Sequence, residues 1–335
     1  MSNRILLFFI FCSVSLGKVR AQDPIFSQYF LIPETINPGF SGFLETTYVG
    51  GIHRTQWPDL NLRIDTEYFF GNTWLESMNS AVGISIVNHR ESNTGYNFIQ
   101  GNINYMYRVR LSDSWYFRPA IEVGLGNKSF GFRNLLLQDQ ININNNTISP
   151  ISGDPVQLNE RINFIDISSG MVFNNENLWL GLSVKHLNKP NIAFAQGNNI
   201  PLDIFFSASA GYKFQVAEFF DLKFFPYSTN ILLNANYMQQ GNFNRFDAGL
   251  SFLFERFFLG ASVVTNPARN TPDAPLLTSV ITYLGLEYEK LKFGLSYDIN
   301  TTRIGQTGGV YELSLTYQFD LTKKCFGCPG YTAGN

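Results

Sequence analysis

The chain has 335 residues, of which 15% are charged and 16% are aromatic, including 32 Phe and 16 Tyr. Soluble domains usually carry about 25% charged residues, so the composition disfavours an ordinary soluble domain, and a formal net charge of -2 argues against a nucleic-acid-binding protein. A mean hydropathy near zero fits a membrane β-barrel, whose apolar outer face and polar inner face average out.

Residues 1–21 are predicted to be a cleaved secretion signal. An apolar run from Ile5 to Leu16 follows Arg4, and Val19-Arg20-Ala21 has the small-residue spacing of a signal-peptidase site. A signal anchor is the alternative, but roughly a dozen apolar residues are too few to span a bilayer, and no later run approaches the roughly 18 that a membrane helix needs. The mature chain is therefore expected to start at Gln22 and to lack membrane helices.

Residues 22–45 are predicted to form an extended N-terminal segment that lies in or under the mouth of a barrel. Pro24, Pro33 and Pro38 cannot sit in central strands, because proline lacks the N–H that a ladder needs. The segment also carries aromatic side chains that need cover from water, namely Phe26, Tyr29, Phe30 and Phe40. Two interpretations stay open: the segment is a plug that keeps the barrel from leaking, or it is a docking surface for a periplasmic partner.

Residues 46–319 are predicted to form a transmembrane antiparallel β-barrel of the outer-membrane type with about 14 strands, since single-chain bacterial barrels have even strand numbers. Runs of alternating residues recur here, separated by clusters of Gly, Asn, Asp, Ser and Pro. The predicted strands are 46–54, 62–70, 81–88, 96–109, 115–127, 162–173, 178–185, 203–214, 222–238 with a bend at Pro226, 245–254, 257–264, 279–288, 291–300 and 309–319.

The last predicted strand shows the alternation most clearly. Its two faces are Tyr311, Leu313, Leu315, Tyr317 and Phe319 on one side, and Glu312, Ser314, Thr316 and Gln318 on the other. One apolar face with aromatic ends and one polar face suit a wall between lipid and water. A half-buried strand of a soluble sandwich would alternate in the same way, but the recurrence of the pattern along the chain favours the barrel.

Charged residues are predicted on the inner face of several strands. Arg118 and Glu122 share one such face, and Arg63, Asp65 and Glu67 are assigned to another. Inward charges of both signs predict a lumen crossed by pairs of side chains and not an apolar ligand tunnel.

The lengths of the connections support a barrel whose N-terminus is periplasmic. Such a barrel has short periplasmic turns after even strands and longer external loops after odd strands. The longest connections, 129–161, 186–202 and 265–278, all follow odd strands. Two connections fit less well, because 71–80 is long for a turn and 239–244 is short for a loop. The pattern places residues 129–161 outside the cell.

Residues 320–335 are predicted to be a periplasmic tail that contains Cys325 and Cys328. In an oxidising envelope, a disulfide between these two is favoured over a zinc half-site, which would need partners that the chain lacks.

No residue pattern typical of catalysis occurs in the sequence. The three histidines, His53, His89 and His186, have no serine and acid at an identifiable spacing, and no G-x-S-x-G is present. Outer-membrane proteases and phospholipases are barrels too, so an enzyme remains an alternative. The expectation is a protein that is not an enzyme and that holds neither a cofactor nor a metal.

Short motifs at both ends of the predicted mature chain carry a family resemblance. They read Q-D-P-I-F-S-Q-Y from Gln22, N-P-G-F-S-G from Asn37, R-T-Q-W from Arg54, Y-D-I-N-T-T from Tyr297, G-G-V-Y-E-L-S-L-T-Y from Gly308, and Cys328-Pro329. In this order the motifs resemble the PorP/SprF family of the type IX secretion system of Bacteroidetes. Gly39 stands where the family usually has Ala, and Thr302 where it usually has Ser. The resemblance covers the chain from Gln22 to Pro329.

The resemblance implies a component of the type IX secretion or gliding machinery in the cell outer membrane. Its partners would be outer-membrane lipid, a secreted adhesin-type cargo received through its C-terminal signal domain, and the periplasmic lipoproteins of the secretion system. The candidate partner-binding residues are Phe26, Tyr29, Phe30, Phe40, Arg54, Gln56 and Trp57. The last three could instead anchor the barrel rim, with Trp57 at the membrane interface. The main alternative function is a diffusion porin or a lipid-type transporter of the outer membrane.

Overall fold

The computed structural model describes residues 22–60, 62–131, 136, 138–142, 145, 147–150, 152–153, 160–194, 197–216, 229–254, 256–268, 275–302 and 307–320. Within these residues, fourteen antiparallel strands close into one barrel. Each strand pairs with its neighbours in the chain, and the barrel closes where β1 (Tyr48–Gln56) pairs with β14 (Val310–Gln318) along its whole length. The predicted fold class is therefore confirmed.

The remaining strands are, in chain order, β2 (Ile64–Leu75), β3 (Ser80–Glu91), β4 (Asn97–Tyr107), β5 (Tyr116–Ser129), β6 (Arg161–Asn174), β7 (Leu178–Lys185), β8 (Phe205–Gln215), β9 (Asn230–Gln240), β10 (Phe243–Phe254), β11 (Phe257–Thr265), β12 (Leu277–Tyr288) and β13 (Leu291–Asn300). Val109–Arg110 continues β4, and Ile141–Asn142 pairs with Thr147–Ile148 as a small hairpin between β5 and β6. We call the end of the barrel where β1 finishes the loop end, and the end where β1 begins the turn end.

The predicted alternation sets the two faces of the barrel wall. On β14, Leu313 and Leu315 are exposed on the outer face, whereas Glu312 and Ser314 are buried on the inner face. Large apolar side chains are exposed in the same way on the other strands, for example Phe69, Ile84, Ile103, Ile121, Leu180, Leu250, Leu259, Leu284 and Leu295. An apolar outer surface that repeats from strand to strand is the surface of a protein in contact with lipid.

The described residues contain no helix that combines the length and the apolar character needed to cross a bilayer.

Several predicted strand ends differ from the structure, and the largest differences are at β2, β9 and β10. β2 continues through Gly71 and Asn72, which pair with Ile84 and Gly83, so residues 76–79 alone form the turn. Gly and Asn often end strands, but here they lie within a ladder. The predicted strand 222–238 is observed as Asn230–Gln240, and residues 217–228 lie outside the described part of the chain. β9 and β10 then meet in a two-residue turn at 241–242, a typical hairpin connection.

The assignment of Arg63, Asp65 and Glu67 to the inner face is wrong. Arg63 is exposed just before β2, where it pairs with Asp65, and Glu67 pairs with Arg90. The other face of β2 points inward and carries Ile64, Thr66, Tyr68 and Phe70. Both faces of residues 63–68 are partly polar, so alternation could not decide which one faces the lumen. The inward assignment of Arg118 and Glu122 is correct, since both are buried.

Candidate functional site

Residues 22–45, called the lumen segment below, lie inside the barrel and cross it from the loop end to the turn end. At the loop end, Asp23 N donates a hydrogen bond to Gln240 Oε1 at 2.7 Å, where β9 finishes. Near the turn end, Glu45 pairs with Arg108 and Arg118. The chain then enters β1 from the turn end. Gln22, the start of the predicted mature chain, therefore lies at the loop end, and Tyr48, the start of β1, lies at the turn end.

The lumen segment is folded into turns and not extended as predicted. Pro33 and Pro38 each begin a single turn of 3₁₀-helix, because the fixed φ of proline suits the first position of a helix. Asn37 caps the second turn, with its Oδ1 accepting from Gly39 N at 2.8 Å. Its Nδ2 donates to Met171 O and Leu182 O, both at 3.1 Å. The Asn-Pro-Gly motif thus bends the segment and fixes it to the inner wall at β6 and β7.

The central anchor of the lumen segment is the carboxylate of Glu312 on β14. Its oxygens accept hydrogen bonds from Ser27 N at 2.7 Å and Gln28 N at 3.0 Å. Arg54 Nη1 on β1 donates to the same carboxylate at 2.5 Å. Both charged side chains are buried. A buried carboxylate that binds a guanidinium and two backbone N–H groups has its charge compensated from three sides.

The side chain of Gln28 extends the same anchor to β13. Its Nε2 donates to Ser296 Oγ and to Glu312 O, both at 3.1 Å, and its Oε1 accepts from Ser314 Oγ at 2.6 Å. Gly294 lies directly beneath, since a Cβ at that position would fall 2.4 Å from Gln28 Oε1. We call Ser27, Gln28, Arg54, Ser296, Glu312 and Ser314 the Glu312 cluster.

Aromatic side chains of the lumen segment fill the space that the strands enclose. Phe30 packs against Tyr283 with ring centroids 4.5 Å apart, Phe40 packs against Trp179 at 5.2 Å, and Tyr29 Oη accepts from Asn234 Nδ2 at 2.9 Å. A cavity of about 50 Å³ lies among residues of the segment and of β2, β3, β4 and β8. This volume holds only a very few water molecules.

At the loop end, His186 lies between two carboxylates and holds the start of the lumen segment. Its Nε2 is 2.7 Å from Asp23 Oδ2, and its Nδ1 is 2.9 Å from Asp166 Oδ1. Burial by itself lowers the pKa of His186, but the charge of Asp23 and the hydrogen bonds to both carboxylates outweigh it and raise the pKa to about 9. Burial opposes the ionisation of Asp23, yet the imidazolium of His186 holds its pKa below the usual range. We call this trio the loop-end clamp.

Two further contacts of the segment involve charged groups. Lys185 Nζ donates to Thr35 O at 2.8 Å. Glu34 Oε1 accepts from Asn72 Nδ2 at 3.0 Å.

At the turn end, Glu45 joins the lumen segment to β5 and to the residues after β4. Its Oε1 accepts from Arg118 Nη2 at 2.9 Å and also contacts Arg108 Nη1. Arg118 Nε donates to Asn174 Oδ1 on β6 at 3.0 Å, and Arg108 stacks over Trp74 with 4.7 Å between the guanidinium carbon and the ring centroid. The segment is therefore held by charged groups at both ends and in the middle.

The structure places most of the predicted partner-binding residues inside the barrel. Phe26, Tyr29, Phe30 and Phe40 are 4%, 1%, 2% and 0% exposed. Gln56 Oε1 accepts from Arg54 Nη2 at 3.2 Å, which adds Gln56 to the inner network. Trp57 is half-buried just after β1, and its backbone N–H donates to Gly309 O at 3.0 Å. Direct contact between the four rings and a partner would require the segment to leave the lumen. Cys325 and Cys328 lie outside the described residues.

Several functional contacts were not predicted from the sequence. The Glu312 cluster joins motifs from both ends of the chain. The sequence could have indicated this contact, because any closed barrel requires its first and last strands to pair. For the loop-end clamp no signal existed, since Asp23 and His186 are 163 positions apart. Among the described residues, no group of three or more His, Cys, Asp or Glu side chains is placed to hold a metal ion.

Comparisons with known proteins gave a family match that spans the barrel and the lumen segment. The model of the family described as "Type IX secretion system membrane protein PorP/SprF" matches residues 18–317. The search of curated proteins found no match.

Solved outer-membrane barrels are similar to the chain at low sequence identity. Omp33 of Acinetobacter baumannii has a TM-score of 0.44 and 8% identity over 83% of this chain and 100% of its own. The toluene transporter TodX of P. putida has a TM-score of 0.48 and 7% identity over 85% of this chain and 93% of its own. A FadL homologue of Pseudomonas aeruginosa has a TM-score of 0.41 and 11% identity over 85% of this chain and 93% of its own.

Proposed function

Because the chain belongs to the PorP/SprF family of type IX secretion system membrane proteins, we propose that it serves secretion as a closed, non-enzymatic barrel that receives adhesin-type cargo at the cell surface. It is an outer-membrane component of that system. The finer role is that it binds the C-terminal signal domain of a cargo protein and is needed for the secretion or surface attachment of that cargo.

One observation carries this proposal, namely the lumen segment fixed at three levels inside the barrel. The Glu312 cluster, the loop-end clamp and Glu45 each tie the segment to the wall through charged groups. The cavity of about 50 Å³ between the segment and the barrel wall is far smaller than a solute pathway would need. A barrel filled in this way acts through its surfaces, so a diffusion porin or a lipid-type transporter is the less favoured function.

A second candidate role is coupling to the periplasmic lipoproteins of the secretion system. It is favoured by a groove of about 720 Å³ at the turn end, lined by Tyr107, Arg108, Arg110 and Tyr116 among others. Aromatic and arginine side chains are the residue types that anchor protein interfaces most often. Cleavage of residues 1–21 as a signal peptide belongs to the same proposal, since the lumen segment begins directly after them.

The proposal is tested by deletion of the gene and by a conductance measurement. The deletion strain should lose surface display of at least one adhesin-type cargo and keep normal permeability to small solutes. The purified barrel in planar bilayers should show no steady open channel. If the deletion strain showed a nutrient-uptake defect with normal cargo display, and the barrel showed steady conductance, the protein would be a diffusion porin.

A further inference from the structure

The barrel wall is uneven at the loop end, beside β6. β5 and β6 pair along their whole length, up to Ser129↔Arg161. On its other side, β6 pairs with β7 only as far as Ser169↔Val184. Within the described residues, the edge of β6 at 161–168 therefore has no strand beside it on the side away from β5.

The chain covers part of this edge with a side chain in place of a strand. Just after β7, Leu187 N donates to Ile167 O at 2.9 Å. The amide of Asn188 then accepts from Ile167 N at 3.1 Å and donates to Ile165 O at 2.7 Å. The side-chain amide of Asn188 thus satisfies two backbone groups of this edge, the N–H of Ile167 and the C=O of Ile165.

Beyond Asn188, no described residue pairs with this edge, which we call the open edge of β6. Alternate residues of an antiparallel strand bond to opposite neighbours, so Asn163 and Ile165, like Ile167, direct their N–H and C=O groups away from β5. The N–H of Ile165 and both backbone groups of Asn163 make no hydrogen bond to any described residue. A strand edge whose backbone groups make no hydrogen bond to a described residue is a template for one more strand.

The outer surface beside the edge forms a groove that suits the side chains of such a strand. The groove has a volume of about 860 Å³, and Leu125, Ile165 and Pro190 contribute to its lining. Leu125 and Ile165 are 68% and 56% exposed. Closer to the loop end the lining becomes polar, with Asn127 Nδ2 donating to Asn163 Oδ1 at 2.7 Å. The groove therefore offers an apolar position beside Ile165 and a polar one beside Asn163.

We propose that the open edge of β6 binds an extended segment of a partner polypeptide as an added antiparallel strand. The bound segment places an apolar side chain beside Ile165 and a polar one beside Asn163. The identity of the partner rests on the proposed function, because the segment would belong to the cargo that arrives at the loop end.

Charge disfavours a second copy of this chain as the occupant. Arg161 and Lys189 are both exposed near the open edge. Antiparallel pairing of two such edges about a twofold axis would bring Arg161 of each copy toward Lys189 of the other. Like charges that meet across a strand pair are destabilising, whereas a partner segment with acidic or neutral ends is not repelled.

The test uses the purified full-length protein in detergent micelles and a fluorescent peptide of about ten residues that alternates valine and threonine. The double substitution Asn163→Pro with Ile165→Pro removes two N–H groups of the open edge and keeps those that bond to β5, because proline is tolerated where its nitrogen faces no partner. Asn163→Ala with Ile165→Ala is the matched control, since it shortens the side chains and keeps both N–H groups.

Fluorescence anisotropy should show saturable binding to the wild type and to the alanine control. The proline variant should bind about tenfold more weakly or worse, since two hydrogen bonds are lost. Equal affinities of the proline and alanine variants, or no saturable binding to the wild type, would overturn the proposal. The wild type could instead form a dimer that the proline variant does not form, and bind no peptide. That result would assign the edge to a second copy of the chain and would also overturn the proposal.

Hydrogen exchange of the wild type decides the matter if the proline variant does not fold. Peptide binding should slow exchange at the amides of Asn163 and Ile165 and leave Phe164, which bonds to β5, unchanged. Unchanged exchange at Asn163 and Ile165 would contradict strand addition. The proposed function fails by a different measurement, namely normal cargo display in the deletion strain, so the two failures are distinguishable.

Discussion

Arg54 Nη1 lies 2.5 Å from Glu312 Oε1, and this buried ion pair joins the first strand of the barrel to the last. The same carboxylate accepts the N–H groups of Ser27 and Gln28 from the lumen segment. Glu312 therefore takes part both in the seam that closes the barrel and in the placement of the segment.

Arg54→Met should lower the free energy of unfolding by about 3 to 5 kcal/mol, because it leaves the Glu312 carboxylate buried without its cation. Denaturant unfolding of the purified barrel in detergent measures the loss. Arg63→Met is the matched control: Arg63 pairs with Asp65 on the exposed outer surface, where an ion pair is worth less than about 1 kcal/mol. Similar losses for the two variants would show that the buried pair has no special role in stability.

Gly294→Ala should displace Gln28 and loosen the lumen segment. The added Cβ would lie 2.4 Å from Gln28 Oε1 and 2.4 Å from Ser314 Oγ, and overpacking of this kind costs about 1 to 3 kcal/mol. Limited proteolysis should cut the segment faster in this variant than in the wild type. In Gly101→Ala, where the nearest atom to the new Cβ is 4.0 Å away, the rate should stay the same. Equal rates for both variants would contradict the packing of Gln28 on Gly294.

The loop-end clamp should weaken as the pH rises. The pKa of His186 is raised from 6.5 to about 9, so its stabilising contribution is complete below about pH 6.5 and is lost as the pH passes 9. Asp23 has a lowered pKa, so its contribution is present above about pH 4 and is lost only in stronger acid.

The variant Gln22→Cys reports on the loop-end clamp, in a protein whose Cys325 and Cys328 are replaced by serine. The rate at which the new cysteine is labelled measures how often the start of the lumen segment is accessible. This rate is divided by the fraction of thiolate, because thiolate content also rises with pH. The rate should rise between pH 7 and pH 9.5. His186→Asn should remove most of this rise, since asparagine accepts the positive φ of 60° at this position and does not titrate. An unchanged pH profile in the variant would show that the imidazolium does not hold the segment.

The loop end should face the outside of the cell. A cysteine at Asn145, which is exposed between β5 and β6, should react with a membrane-impermeant reagent on whole cells. A cysteine at Asp113, which is exposed in the turn between β4 and β5 at the opposite end, should react only after lysis. The reverse pattern would invert the predicted topology.

The strands could be predicted from the sequence because the outer face of the barrel is apolar and the inner face is polar on most of them. Leu180 and Leu182 alternate with Gly181 and Ser183 on β7, and the structure places them as the pattern predicts. The prediction failed on β2, where the inner face carries Tyr68 and Phe70. These rings face inward because the lumen segment supplies Phe26, whose ring lies 6.0 Å from that of Tyr68.

The path of the lumen segment could not be predicted from local patterns. Its anchors join residues far apart in the chain, for example Ser27 with Glu312 and Asn37 with Leu182. Proline and aromatic content indicated a covered segment without regular strands, and that part of the inference came from properties of single residues. The wall residues that contact the segment are set by the closure of the barrel and by the register of its strands. A single sequence determines neither of these by local pattern.

The passage of the lumen segment from the loop end to the turn end also constrains the order of assembly. The segment leads directly into β1, so the two are delivered to the membrane together, and β1 and β14 form the seam that closes the barrel. If the barrel closed first, a peptide that carries Phe26, Phe30 and Phe40 would have to pass through its lumen afterwards. Closure of the seam around a peptide that is already in place avoids that passage, so we expect the segment to be inserted before the barrel closes.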